Sequence, residues 1–159
     1  GRQPRFTLNI SGFSLGATDF LDLVIAEFEA TGVDPARIMF EITETAAIAD
    51  LGRAQRFLAA LRGMGCRFIL DDFGKGLSSL GYLRNLPLDF LKIDGSFVRN
   101  MTVDPIQTAL VASIHEIGDV MGLRTIAEFV EDEETLEAVR RIGIDYAQGF
   151  LLARPEPLT

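Results

Sequence analysis

Residues 54–71 read Ala-Gln-Arg-Phe-Leu-Ala-Ala-Leu-Arg-Gly-Met-Gly-Cys-Arg-Phe-Ile-Leu-Asp. Ala54, Phe57, Leu58 and Leu61 recur at helical spacing, the apolar stripe of a helix packed on a core, and Gly63 and Gly65 end it. The pattern then changes to the unbroken apolar run Phe68-Ile69-Leu70, which suits a parallel strand covered on both faces, and the run stops at the carboxylate of Asp71. Helix, glycine, buried strand and terminal acid form a unit, and its recurrence decides the fold.

Working outward, further strand-like runs are Phe6–Ile10, Ile38–Ile42, Phe90–Ile93, Thr125–Glu128 and Tyr146–Leu151. Thr18 or Asp19 caps a helix carrying Phe20, Leu21, Val24 and Phe28 and ending near Gly32. Asp104-Pro105 opens another, with Leu110, Ile114, Ile117 and Met121 leading to Gly122. Asp132, Glu133 and Glu134 place negative charge at the start of a third, ahead of Leu136, Val139 and Ile142. Strand then helix, repeated, predicts an α/β fold with a parallel sheet, either an open doubly wound sheet or a barrel. No strand is followed by Gly-x-Gly-x-x-Gly or a Walker-type loop, which favours a TIM-like (β/α) barrel. With about six parallel strands and flanking helices, and 159 residues against the roughly 200–250 of a complete barrel, the barrel is expected to be incomplete.

The chain is 48% hydrophobic and 24% charged, an ordinary globular composition, and one domain over 1–159 is the expectation. Charges interrupt every apolar window before the roughly 18 residues a membrane span needs, and no signal peptide is visible, so a cytoplasmic location without membrane contact by this segment is expected. The formal net charge of −8 opposes binding of DNA or RNA. If a phosphate-containing ligand binds, something must offset the carboxylates, and bound divalent cations are the obvious candidate. Cys66, the single cysteine, is read as a buried free thiol. His115, the single histidine, lies mid-helix and is read as a packing or surface residue, which removes support for triad schemes.

Every apolar strand run carries a polar residue at or near its C-terminal end: Asn9, Glu41, Asp71 with Asp72, Lys92, Glu128 and Gln148. In a (β/α) barrel these side chains meet at the rim where such enzymes place their chemistry. Several carboxylates with one lysine repel one another unless neutralised, and oxygen donors of this kind suit magnesium, manganese or calcium. Asp71 and Asp72 serve two cations if strand alternation relaxes at the strand end, where Gly74 and Gly76 let the chain turn. The glycine and serine loop through Ser78 and Ser79 is a candidate lid.

Asp71-Asp72-Phe73-Gly74-Lys75-Gly76-Leu77-Ser78-Ser79-Leu80, followed by Leu86-Pro87 and Leu91-Lys92-Ile93-Asp94, resembles the signature of the EAL-domain family of cyclic-di-GMP phosphodiesterases. So do Asn9-Ile10-Ser11, Glu41-Ile42-Thr43-Glu44, Ala127-Glu128 with Val130-Glu131, and Gln148-Gly149-Phe150. The resemblance implies a barrel that opens cyclic-di-GMP to linear pGpG with two Mg2+ or Mn2+ ions, Ca2+ being inhibitory. It implies that Asn9, Glu41 and Asp71 bind one cation and Asp71 and Asp72 bind or bridge to the other, with Glu128 nearby. Lys92 would orient the attacking water, Gln148 would help hold the water or the second site, and Glu44 and Glu131 would fix the Asp-Asp-Phe-Gly loop. A homodimer is implied too, as are sensory or diguanylate-cyclase-like domains upstream in a parent protein that other domains could anchor to a membrane.

Two departures stand out. The Glu-Ala-Leu motif belongs upstream of Asn9 and is absent here, so the N-terminal strands of the EAL-type domain are expected to be missing and the edge of the Phe6–Ile10 strand exposed. The alternative that this absence raises is a non-catalytic cyclic-di-GMP receptor. Phe129 stands where the family usually has glycine, placing a ring beside Glu128.

Overall fold

The computed structural model describes residues 5–75 and 80–157. The described residues form two compact units, 5–71 with 80–89 and 72–75 with 90–157.

In the first unit β1 (Phe6–Ile10) leads through α1 (Gly12–Gly16) and α2 (Phe20–Thr31) to β2 (Ile38–Thr43). Then α3 (Glu44–Ala49) and α4 (Leu51–Met64) lead to β3 (Arg67–Phe73), whose last two residues pass into the second unit. Gly32 and Gly65 cap α2 and α4 at φ 66° and 111°, a left-handed backbone that costs glycine little, whereas Gly63, expected to share in ending α4, lies inside its last turn. Phe57 of α4 stacks on Phe20 of α2 at 5.6 Å and meets Phe40 of β2 edge-on at 6.2 Å. This aromatic cluster fastens both helices to β2, and burying such a ring is worth roughly 1.5–3 kcal/mol.

The strands of this unit are parallel, with Asn9 opposite Glu41, Glu41 opposite Ile69 and Thr43 opposite Asp71. Phe6 to Asn9 are exposed, as expected for an uncovered edge, and an apolar groove of about 500 Å³ lies beside β1, lined by Leu8, Ile10, Phe20, Val24 and Phe28 among others. Asp89 fixes the other end of β3: its Oδ2 accepts the Phe68 N–H at 3.0 Å and pairs with Arg62 at 3.2 Å.

In the second unit β4 (Phe90–Ile93) is followed by α5 (Gly95–Val98) and α6 (Pro105–Val120), then β5 (Arg124–Ala127), α7 (Glu133–Ile142) and β6 (Tyr146–Ala147). β4 pairs with β5 and β5 with β6, both parallel. Asp104 and Asp132 cap α6 and α7 as expected, accepting the N–H of Ile106 at 2.8 Å and of Thr135 at 2.7 Å. Asp145 repeats the device of Asp89, accepting the buried Thr125 N–H at 2.8 Å and pairing with Arg124 at 3.1 Å.

The run expected as a strand from Tyr146 to Leu151 is a strand only over Tyr146–Ala147. Gly149 accounts for the shortening, because the N–H groups of Leu152 and Ala153 both turn back onto its carbonyl, at 3.0 and 3.1 Å. The helices α1, α3 and α5 were not read from the sequence. None is long enough to show a stripe.

Candidate functional site

In adjacent parallel strands, opposite residues point to the same face and side chains alternate along each strand. The register of the first unit therefore puts Asn9, Glu41 and Asp71 on one face, with Asp71 one step nearer the C-terminal end. Asn9 is exposed on β1, Asp71 is half-buried and Glu41 is buried. Glu44, also buried, opens α3 just after the Thr43 cap and accepts the Tyr82 hydroxyl at 2.6 Å. Burial, and then the Glu44 carboxylate, push the Tyr82 hydroxyl far above the ordinary phenol range, so it remains a donor.

In the second unit, Asp72 has φ 56°, a left-handed backbone that aspartate tolerates better than most residues. Alternation thus breaks at Asp72 itself as well as at Gly74, whose φ is 102°. Gly76, Ser78 and Ser79, the rest of the expected turn and lid, lie outside the described residues.

Lys75 ties Asp72 at 2.9 Å to Asp94 at 2.6 Å. Hydrogen bonds to Asp94 and then Asp72 hold its ammonium well above the ordinary lysine value. Burial alone would raise the Asp94 carboxyl, but Lys75 and the Ser96 N–H and hydroxyl outweigh it and hold the group at about 2.

Lys92 in β4 is buried and places Nζ 3.1 Å from Glu128 Oε1. Glu128 follows the end of β5, and its carboxylate and that of Asp72 offer oxygens within 4.8 Å of one another. Gln148 lies just past β6 and is exposed. With Glu131, Phe129 and Phe150 it joins Glu128 around a cavity of about 220 Å³. Lys75 and Lys92 each offset one of these two carboxylates, and oxygen donors of this type, so close together, suit a hard divalent ion. His115 keeps the packing role read from its position, with Nδ1 2.8 Å from Thr125 Oγ1.

The sequence reading missed Asp94, Lys75 and Tyr82 as parts of this chemistry. Asp94 carries the signal that found the others, a polar residue directly after a buried apolar strand, and it stands two positions beyond Lys92. Tyr82 carries none, because nothing in the sequence couples it to a glutamate 38 positions away.

Residues 1–155 match the EAL domain family model. The cyclic di-GMP phosphodiesterase PdeB of Shewanella oneidensis is 45% identical over 152 residues, 96% of this chain and 18% of that protein. The structure of PaMucR phosphodiesterase in its c-di-GMP complex has a TM-score of 0.91 at 35% identity, covering 96% of this chain and 62% of that one. The manganese and cyclic-di-GMP complex of Klebsiella pneumoniae BlrP1 has a TM-score of 0.85 at 32% identity, covering 95% and 39%. The chain spans 18%, 21% and 23% of the lengths of the first three curated relatives it matches. The α/β fold of TIM-like barrel type, read from the alternation of strands and helices, is the fold of these structural neighbours.

Proposed function

The chain belongs to the EAL domain family, and we propose on that premise that it hydrolyses cyclic-di-GMP to linear pGpG as a divalent-metal-dependent phosphodiesterase. The observation that carries the proposal is the ion pair of the buried Lys92 with the half-buried Glu128 at 3.1 Å, with the Asp72 carboxylate in reach of Glu128. A packing pair needs no second carboxylate beside it, whereas a cation site needs several. Asn9, Glu41 and Asp71 share one sheet face and are assigned to one cation, Mg2+ or Mn2+. Asp71 and Asp72, joined by a peptide bond, are assigned to bridge toward a second, with Glu128. When bound, such ions lower the pKa of water and stabilise negative charge on phosphoryl oxygens.

The chain's own residues do the rest. Lys92 orients the attacking water through one of its three N–H groups and offsets the charge that builds on the phosphoryl oxygens. Gln148 offers an amide to the same water, and Glu44 and Glu131 support the Asp-Asp-Phe-Gly segment. The water oxygen bonds to phosphorus as the bond from phosphorus to one ribose oxygen breaks, and the proton that the water gives up ends on the departing ribose oxygen. One of the ring's two phosphodiesters is opened.

Cations beside these acids let a chain of net charge −8 accept an anionic dinucleotide. A cytoplasmic setting and a homodimer belong to the same reading. Among the described residues no helix is long and apolar enough to cross a membrane.

The test is incubation of the full chain with cyclic-di-GMP and Mg2+ or Mn2+, following linear product beside Asp71→Asn. Product from the wild type and none from the variant is expected. Binding of the dinucleotide without any product would replace the hydrolase with a receptor.

A further inference from the structure

In a regular parallel ladder, one residue donates to the carbonyl before its partner and accepts from the N–H after it. Gln148 donates to the Ala127 carbonyl at 2.8 Å, but it accepts from Val130 at 3.0 Å rather than from residue 129. One extra residue is therefore inserted, and Glu128 and Phe129 form a β-bulge, the device that re-aims a side chain at a strand end. Phe129 closes the bulge at φ 53°, a backbone that a bulky residue keeps only where its surroundings hold it.

The surroundings are specific. The Arg99 guanidinium sits 4.0 Å from the centre of the Phe129 ring. A Cβ built on Gly95 would overlap the ring at Cδ2 and lie 2.7 Å from Cε2 and Cγ, so the ring occupies the space a side chain at 95 would fill. Lys92, three positions before Gly95, takes the Glu128 carboxylate at 3.1 Å. One segment, residues 92–99, grips both residues of the bulge.

We propose that Phe129 is a positioning residue for the hydrolysis, setting the Glu128 carboxylate through the bulge, and that glycine at 95 is its required complement. The inference rests on the phosphodiesterase reading above. Glycine at 129 would adopt the same backbone freely but would leave the bulge unanchored. Alanine at 95 would push the ring out and carry Glu128 with it.

The test is a double-mutant cycle in the full chain, reading kcat and KM for cyclic-di-GMP, Mn2+ affinity from electron paramagnetic resonance of the free ion, and thermal midpoint. Displacing a catalytic group by about 1 Å costs on the order of 100-fold, so Gly95→Ala is expected to lower kcat by about 30- to 100-fold with KM within about twofold. Phe129→Gly should lower kcat about fivefold, and the double variant should match Phe129→Gly, the second change rescuing the first. Mn2+ affinity should follow the same order.

Losses that multiply, a Gly95→Ala enzyme as active as wild type, or a cycle that moves only the thermal midpoint would overturn the inference while leaving the hydrolase intact. A wild type that binds Mn2+ without turnover would end the hydrolase reading and, with it, a positioning role in hydrolysis. A wild type that binds no Mn2+ overturns both.

Discussion

Lys92→Met tests the electrostatics at the centre of the site. Its side chain is 5% exposed and Glu128's is 15%, so water screens the pair poorly. At 3.1 Å the attraction is about 5 kcal/mol with the effective dielectric of about 20 that suits protein sites, before desolvation is set against it. Removing only the lysine takes the ammonium from Glu128, whose carboxylate lies within 4.8 Å of that of Asp72, itself paired with Lys75. Breaking one side of a buried pair in this way costs about 3–5 kcal/mol, whereas neutralising both sides costs far less. Urea unfolding of the metal-free protein at pH 7 should therefore show Lys92→Met losing about 3–5 kcal/mol, a midpoint shift of roughly 2 M for an m-value near 2 kcal/mol/M. Lys92→Met/Glu128→Gln should recover to within about 1–2 kcal/mol of wild type while remaining without turnover. Equal losses in the single and double variants, or a single loss below about 1 kcal/mol, would show that the pair is not coupled as the 3.1 Å contact implies.

Asp94, held at about 2 in the fold against 3.8 when free, contributes stability that is present above pH 3.8 and is lost as pH falls through about 2. Asp94→Asn should cost roughly 2 kcal/mol at pH 7 and about half of that at pH 3 by urea midpoints, and a deficit that stays constant between these pH values would refute the linkage. Burial pushes the Cys66 thiol up to about 11, so a disulfide reagent at pH 8 should leave the native protein unlabelled and label it once urea unfolds it. Rapid labelling of the native chain would contradict its 2% exposure. Asp145→Ala strands the fully buried Thr125 N–H and should cost about 1–3 kcal/mol by thermal or urea unfolding, with Asp145→Asn milder because one acceptor remains. A neutral Asp145→Ala would remove this residue from the anchoring of β5.

What could be read from the sequence, and what could not, divides along the range of the interactions. Asn9, Glu41, Asp71 and Lys92 announce themselves because each interrupts or ends an apolar run, and strand alternation is a local property that fixes which face they share once the strands pair. The capping aspartates and terminal glycines are local in the same sense: Gly32 and Gly65 close α2 and α4, Asp104 and Asp132 open α6 and α7, and Asp19 stands at the start of α2 without a side-chain cap bond. The contacts that were missed join residues far apart in the chain. Tyr82 reaches Glu44, Lys75 reaches Asp94, and the Gly149 turn that cuts β6 short follows a bond between Gln148 and Val130. Phe129 marks the boundary between the two kinds of information. Its departure from glycine is visible in the sequence, yet whether a ring there disrupts or supports Glu128 depends on the size of a residue 34 positions earlier. Glycine at 95 turns an apparent obstruction into a fitted contact, so the meaning of position 129 resides in the pair.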